Sequence, residues 1–208
     1  MPHEPMVFIV DDDDEVRAAL ELLMESAGLA VRGYASAQAF LDDVDPARPG
    51  CLVLDVRMRG MSGLELQNRL TAEPMHPPIV IITGHGDVPM AVRALRAGVI
   101  DFLEKPFDDR ALLDAVQRAF AIDAKHRDQA LRRAEIQRRL ARLTPREREI
   151  LDQIIAGKRN KVIAYDLGIS QSTVEAHRAK VMDKLGARSL SELMRLMLTH
   201  VQSDRDAG

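Results

Sequence analysis

The sequence predicts an α/β first part, a (βα)5 doubly wound parallel sheet, followed by a long linker helix and a small all-α domain of four helices. Three observations carry this. Five short apolar runs alternate with amphipathic stretches between Met6 and Phe107, the pattern of parallel strands covered by helices on both faces. After Phe107 the apolar positions follow helical periodicity, interrupted by tight Gly turns. The charge also changes sign: residues 1–123 carry 11 Lys+Arg against 21 Asp+Glu, whereas residues 124–208 carry 18 against 11. An acidic half of net −10 joined to a basic half of net +7 indicates two domains with different partners.

The expected strands are Met6–Val10, Ala30–Tyr34, Cys51–Leu54, Ile79–Ile82 and Val99–Leu103. Cys51–Leu54 is apolar throughout, as a strand buried on both faces must be, and delivers Asp55 to its C-terminal end. Helices are expected over Asp14–Ala27, with Val16, Leu20, Leu23 and Met24 on one face, and over Ser36–Val44, Gly63–Ala72 and Val88–Ala97. Gly28, Gly50 and Gly98 punctuate the joins. This domain is assigned residues 1–123.

From Asp108 to Arg142 there is neither Pro nor Gly, so one long helix or two nearly continuous ones can form. Its first part has a core face in Leu112, Val116, Ala119 and Phe120. Its second part, assigned as a linker over residues 124–142, is rich in Arg, with a thin apolar row at Leu131, Ile136, Leu140 and Leu143. That row is too short and irregular for coiled-coil heptads, so the segment reads as a solvated helix. The all-α domain is assigned residues 143–200. Thr144 as N-cap, Pro145 at the first helical position and Glu147 closing a capping box start a helix that runs to Ala156. Helices over Asn160–Leu167, Gln171–Leu185 and Leu190–Thr199 follow, and the tail 201–208 is expected to be disordered.

Composition excludes several classes. A single cysteine, Cys51, rules out an intrachain disulfide and a Cys-based zinc site, and its place in an apolar strand makes it core filler. No run approaches the roughly 18 apolar residues of a membrane span, so a cytoplasmic location is expected.

Parallel strands all end at one edge of their sheet, where residues distant in sequence converge. Asp11-Asp12-Asp13-Asp14-Glu15 follows the first strand, Asp55 the third, Thr83 the fourth and Lys105-Pro106 the fifth. Carboxylates gathered at one point repel unless a cation sits among them, and oxygen-only ligands suit Mg²⁺. A metal, an ammonium and a hydroxyl together suit a phosphoryl group, with Asp55 as the nucleophile that becomes an acyl phosphate. Spacing alone leaves open which two of Asp11–Asp14 face the metal.

Val10-Asp11-Asp12, Leu54-Asp55, Met61-Ser62-Gly63, Ile82-Thr83-Gly84-His85-Gly86 and Phe102-Leu103-Glu104-Lys105-Pro106-Phe107 together resemble the receiver domain of two-component response regulators. The run Thr83-Gly84-His85-Gly86-Asp87-Val88-Pro89-Met90-Ala91-Val92 is most similar to the FixJ branch. The resemblance implies that Asp11, Asp12, Asp55 and the backbone carbonyl of Arg57 hold Mg²⁺. It implies that Asp55 accepts phosphate from a sensor histidine kinase, with Lys105 contacting the phosphoryl group. Thr83 and Phe102 would form a switch pair, and Lys105-Pro106 would be a cis bond. A homodimer face is implied on Val88–Ala97 and Val99–Leu103. One departure is visible: the position after Met58, commonly Pro in the family, is Arg59.

The second half carries Leu143-Thr144-Pro145-Arg146-Glu147, Gly157, Asn160-Lys161, Ile163-Ala164, Leu167-Gly168-Ile169-Ser170, Thr173-Val174, His177 and Lys184-Leu185. These resemble the LuxR/FixJ/NarL-type helix-turn-helix, which implies promoter DNA and RNA polymerase as partners. Helical phasing puts Val174, Val181 and Leu185 in one arc facing the core, with His177 at its side. The opposite face presents Ser172, Glu175, Ala176, Ala179, Lys180 and Asp183. Glu175, Ala176 and Ala179 match base-reading positions of the family, and Lys161, Thr173, Arg178, Lys180 and Lys184 are candidates for phosphate contacts. His177 has no second ligand beside it and reads as a core or phosphate-contacting residue.

The whole then reads as a DNA-binding response regulator, not an enzyme beyond a slow autophosphatase activity. The competing reading is a Mg²⁺-dependent aspartyl-nucleophile phosphohydrolase. Enzymes of the haloacid dehalogenase type place that nucleophile after the first strand as Asp-x-Asp-x-Thr; here only more acid follows, and the helical domain would be unexplained.

Overall fold

The computed structural model describes residues 4–73, 75–84, 92 and 94–205, with the side chains of the final helix given as far as residue 198. Its elements are β1 (Met6–Val10), α1 (Asp14–Ser26), β2 (Ala30–Tyr34), α2 (Ala37–Asp43), β3 (Gly50–Asp55), α3 (Gly63–Thr71), β4 (Ile79–Thr83) and β5 (Asp101–Glu104). They continue as α4 (Asp109–Ala141), α5 (Pro145–Ile155), α6 (Asn160–Leu167), α7 (Gln171–Leu185) and α8 (Leu190–Arg205). Half of the expected helix Val88–Ala97 falls outside the described residues, as does all of His85–Ala91 of the motif after Thr83. No described helix is long and apolar enough to cross a membrane.

The chain divides into two compact units, Met1–Arg127 and Asp128–Gly208. In the first, five parallel strands lie in the order β2-β1-β3-β4-β5. All six residues of β3 are buried, and because successive side chains point to opposite faces they feed two separate cores. Leu52 and Leu54 join Phe8, Val10, Phe40 and Leu66 on one face. Cys51 and Val53 join Val7, Ile9, Met24, Leu112 and Val116 on the other. Burial pushes the Cys51 thiol pKa up, consistent with a filler residue and not a reactive one. The fifth strand sits slightly later than the apolar run suggested: Ile100 already bonds Ile79, and ladder pairing covers Asp101–Glu104.

The first unit reaches past residue 123. Asp123 is buried and accepts from the Gly50 N–H at 2.9 Å and from Arg127 Nε at 2.8 Å. The Arg127 guanidinium also donates to the carbonyls of Pro46, Ala47 and Arg48, fastening α4 to the segment before β3.

In the second unit the linker's apolar row has found a core. Ile136 and Leu143 are buried with Ile150, Ile154, Val174, Val181 and Leu185, Leu140 packs against them, and only Leu131 stays 71% exposed. The 124–142 segment is therefore less a solvated connector than the sequence suggested. An apolar row too thin for a coiled coil suffices to pack on a neighbouring helix of the same unit. Helix α8 runs past Thr199 to Arg205, through residues expected to be disordered, since neither Gly nor Pro interrupts it.

The start of α5 is built as the sequence indicated. Thr144 Oγ1 accepts from the Glu147 N–H at 3.3 Å, and Glu147 accepts in return from the Thr144 N–H at 2.8 Å. Lys184 Nζ reaches the same Glu147 carboxylate at 2.5 Å. That ammonium, with the Thr144 N–H, holds the Glu147 pKa down from the usual 4.5 to about 2. A carboxylate lowered in the folded state contributes stability that is present above its unfolded pKa and lost as pH falls through the folded one. Acid melts followed by circular dichroism should therefore lose stability between pH 4.5 and about 2 partly through this residue. Glu147→Gln should flatten that decline, and an unchanged slope would refute the assignment.

Candidate functional site

Four neighbouring strands of one parallel sheet deliver their C-terminal residues to a common edge. Val10 pairs with Leu54, Asp55 with Ile82, and Thr83 with Glu104, so Asp11 and Asp55 lie level, Thr83 one register step beyond them and Lys105 two. Lys105 Nζ joins them, donating to Asp11 Oδ2 at 2.8 Å and to Asp55 Oδ1 at 3.0 Å. The Lys105-Pro106 bond is cis.

Backbone groups hold the carboxylates from behind. Asp11 Oδ1 accepts from the Asp13 N–H at 2.9 Å, and Asp55 Oδ2 accepts from the Arg57 N–H at 2.7 Å. Gly63, the first residue of α3, packs directly on Asp55: a Cβ there would lie 2.1 Å from the Asp55 carbonyl oxygen. The loop from Val56 to Ser62 is thus closed against the site, with Val56 and Met58 turned into the core and Arg57 and Arg59 turned outward.

The acidic run separates by role. Asp13 is the N-cap of α1, accepting from the Glu15 and Val16 N–H groups, and Asp14 pairs with Arg17. Asp11 and Asp12 remain on the site side. Asp12 Oδ2 accepts from both the backbone N–H and Nε of Arg59, at 3.1 and 3.0 Å. No feature of periodicity or spacing pointed to that pairing; only the departure at position 59 marked it.

Burial sets the electrostatics. Asp11 is 1% exposed, Asp55 5% and Thr83 0%. Burial, reinforced by the nearby Asp11 charge, raises the Asp55 pKa against the opposing pull of Lys105. Burial works against the Lys105 ammonium, yet its hydrogen bonds to Asp11 and Asp55 raise its pKa overall. The Arg59 N–H and guanidinium lower the pKa of Asp12 despite partial burial. Phe102, half-buried, packs at the margin of the core that holds Phe8 and Phe40.

The donors present are hard carboxylate oxygens, which fit Mg²⁺ by chemistry. Among the described residues, no three ligating groups are gathered into a ready metal cage. The charges of Asp11, Asp55 and Asp12 are met instead by Lys105 and Arg59.

The second unit presents the other surface. Gly168, at φ 63°, makes the left-handed turn between α6 and α7. Ser170 then caps α7 by accepting from the Thr173 N–H at 3.1 Å. Val174, Val181 and Leu185 are buried, and Ser172, Glu175, Ala176, Ala179, Lys180 and Asp183 are exposed, as helical phasing predicts. Lys161 is exposed as well, while Thr173, Arg178 and His177 are half-buried. Lys184 departs from the expected set. Its ammonium is committed to the Glu147 carboxylate and the Arg142 carbonyl, so it braces the domain and is withdrawn from the exposed basic residues. Thr144 and Glu147 were legible as a cap, but the cation arriving from α7 was not.

Comparison with known proteins agrees with both halves. Residues 7–117 match the response regulator receiver domain, and residues 141–197 match the bacterial regulatory proteins of the luxR family. The chain is 50% identical over 198 residues to the transcriptional regulatory protein FixJ of Azorhizobium caulinodans, covering 95% of this chain and 94% of that protein. It is 41% identical over 191 residues to the response regulator protein TodT of Pseudomonas putida, covering 92% and 84%. Among solved structures, the response regulator StyR is similar at TM-score 0.84 and 47% identity, covering 93% of this chain and 98% of that one. Full-length FixJ from B. japonicum is similar at TM-score 0.55 and 42% identity, covering 96% and 98%.

The raised Asp55 pKa has a consequence for stability. A carboxyl group whose pKa is raised on folding contributes stability below its unfolded value, about 3.9, that is lost as pH rises through the folded value. Asp55→Asn should therefore raise the melting temperature at pH 7, with the gain shrinking towards pH 4. A lower melting temperature at pH 7 would mean that the attraction of Lys105 outweighs burial.

Proposed function

The chain belongs to the FixJ-like two-component response regulators, a receiver joined to a luxR-type DNA-binding domain, and on that premise we propose that Asp55 is its phosphoacceptor. The observation that carries this is the Lys105 ammonium bridging Asp11 and Asp55 at one sheet edge. A carboxylate oxygen of Asp55 attacks the phosphorus of a phosphohistidine on a sensor kinase. A P–O bond forms to give the acyl phosphate, the P–N bond breaks, and the imidazole leaves with the electron pair. Lys105 follows the developing charge on the phosphoryl oxygens, and the Thr83 hydroxyl donates a hydrogen bond to one of them. Asp11, Asp12, Asp55 and the Arg57 carbonyl would hold Mg²⁺, which when bound neutralises phosphoryl charge. Hydrolysis of the acyl phosphate is at most slow, so the chain acts as a switch and not as a turnover enzyme.

Thr83 and Phe102 transmit the change. Moving an equilibrium from 1:99 to 99:1 takes about 5.5 kcal/mol. A phosphoryl group adds one to three charge-assisted hydrogen bonds worth about 1.5–3 kcal/mol each before ordering costs. Those magnitudes are borderline alone, so dimerisation supplies the remainder, and two linked DNA-binding domains then read two half-sites of a promoter. In this reading the regulator works in the cytoplasm and acts on RNA polymerase from promoter DNA.

Glu175, Ala176 and Ala179 face outward on α7 as base-reading candidates, with Lys161, Thr173, Arg178 and Lys180 around them for phosphates. Phosphate-affinity gels with acetyl phosphate or a kinase should show one phosphoryl group per chain, absent in Asp55→Asn. Beryllofluoride should double the mass in solution and tighten promoter binding. Equal uptake by Asp55→Asn, or an unchanged mass, would refute the respective step.

The two kinds of DNA contact separate by salt. Glu175→Ala should relax preference at one base position by about 1–3 kcal/mol. Lys180→Ala should instead weaken all sequences alike and reduce the log–log salt slope by about 1. Identical sequence dependence in both variants would overturn the division.

A further inference from the structure

We propose that Arg59 is an internal competitor for the divalent cation at the phosphoryl site, holding the Asp12 carboxylate that the cation must take over. The inference rests on the reading of Asp11, Asp12 and Asp55 as metal ligands and deepens it.

Three acids and two bases meet at this edge. Lys105 serves Asp11 and Asp55 together, at 2.8 and 3.0 Å. Arg59 serves Asp12 alone, and it does so twice: the backbone N–H and Nε converge on the same Oδ2, at 3.1 and 3.0 Å. The chain thus supplies its own cation to the carboxylate left over by Lys105.

The loop makes that pairing local and repeatable. Val56 and Met58 are buried in the core on the inward side, and Gly63 closes the loop against the Asp55 carbonyl. The alternating residues Arg57 and Arg59 therefore face outward, and Gly60, at φ 80°, turns the chain immediately after Arg59. A proline at position 59 would offer Asp12 neither an N–H nor a guanidinium. Arginine supplies both, in a fork suited to carboxylate oxygens.

The strength of the competition follows from exposure. The Arg59 side chain is 89% exposed and that of Asp12 21%, so solvent screens the pair and its contribution is that of a surface ion pair. A divalent cation wins the contest but at reduced affinity, and Arg59 is expelled to solvent as it binds. Arg59 then sets how much cation the receiver needs before its phosphoryl site is formed.

Mn²⁺, a hard oxygen-seeking cation, is the probe, with free ion measured by electron paramagnetic resonance on the full chain and Mg²⁺ added in competition. Arg59→Met keeps the backbone N–H and removes the guanidinium; it should bind Mn²⁺ about two- to fivefold more tightly than the parent, the range of an exposed ion pair. Arg59→Lys keeps the charge without the fork and should fall between the two. Equal or weaker binding by Arg59→Met would overturn the proposal. Absence of Mn²⁺ binding in parent and variants alike would instead overturn the metal-site reading on which it rests.

Discussion

One ammonium organises the first unit's chemistry. Lys105 enters the sheet edge from the strand at its border and bridges two carboxylates that would otherwise repel each other in a nearly dry environment. Removing the Lys105 ammonium would leave both carboxylates buried and uncompensated, which is why the acids depend on it. The bridge exists only because β1, β3, β4 and β5 are adjacent, parallel and in register, so that residues 94 and 50 positions apart in sequence share one edge. The sheet's two apolar cores, fed by alternate residues of β3, are what hold that register.

The same logic of a cation answering a carboxylate recurs where helices must be fixed. Asp123 and Arg127 tie α4 to the backbone before β3 in the first unit. In the second, Arg139 donates to the Leu185 carbonyl at the end of α7, and Lys184 returns to Glu147 at the start of α5. Helix α7 is therefore held at its C-terminal end by the last turns of α4 and the first turn of α5. Its exposed face stays free of these ties, which leaves Glu175, Ala176 and Ala179 available to a partner.

Much of this was legible without coordinates. Cys51–Asp55 announced a buried strand ending in a carboxylate, because a strand buried on both faces must be apolar throughout. The α7 core arc and its opposite face followed from helical period, and the Thr144–Glu147 box from capping chemistry. The linker was less legible. Leu131, Ile136, Leu140 and Leu143 form a row whose spacing says that one side is apolar without saying what covers it. Arg59 was visible only as an oddity, since a side chain's partner across a loop leaves no periodic trace.

By itself the sequence determined the class of the described strands and of the helices before the tail, the change of character between the two halves, and the outward face of α7. All of these follow from local periodicity, turn chemistry and residue type. Only the tertiary structure decided which cation meets which carboxylate: Lys105 with Asp11 and Asp55, Arg59 with Asp12, Lys184 with Glu147 in place of a DNA phosphate, Arg127 with Asp123. Ion pairs are short-ranged in space and indifferent to separation along the chain, so several bases can answer a given acid until packing brings one within about 3 Å.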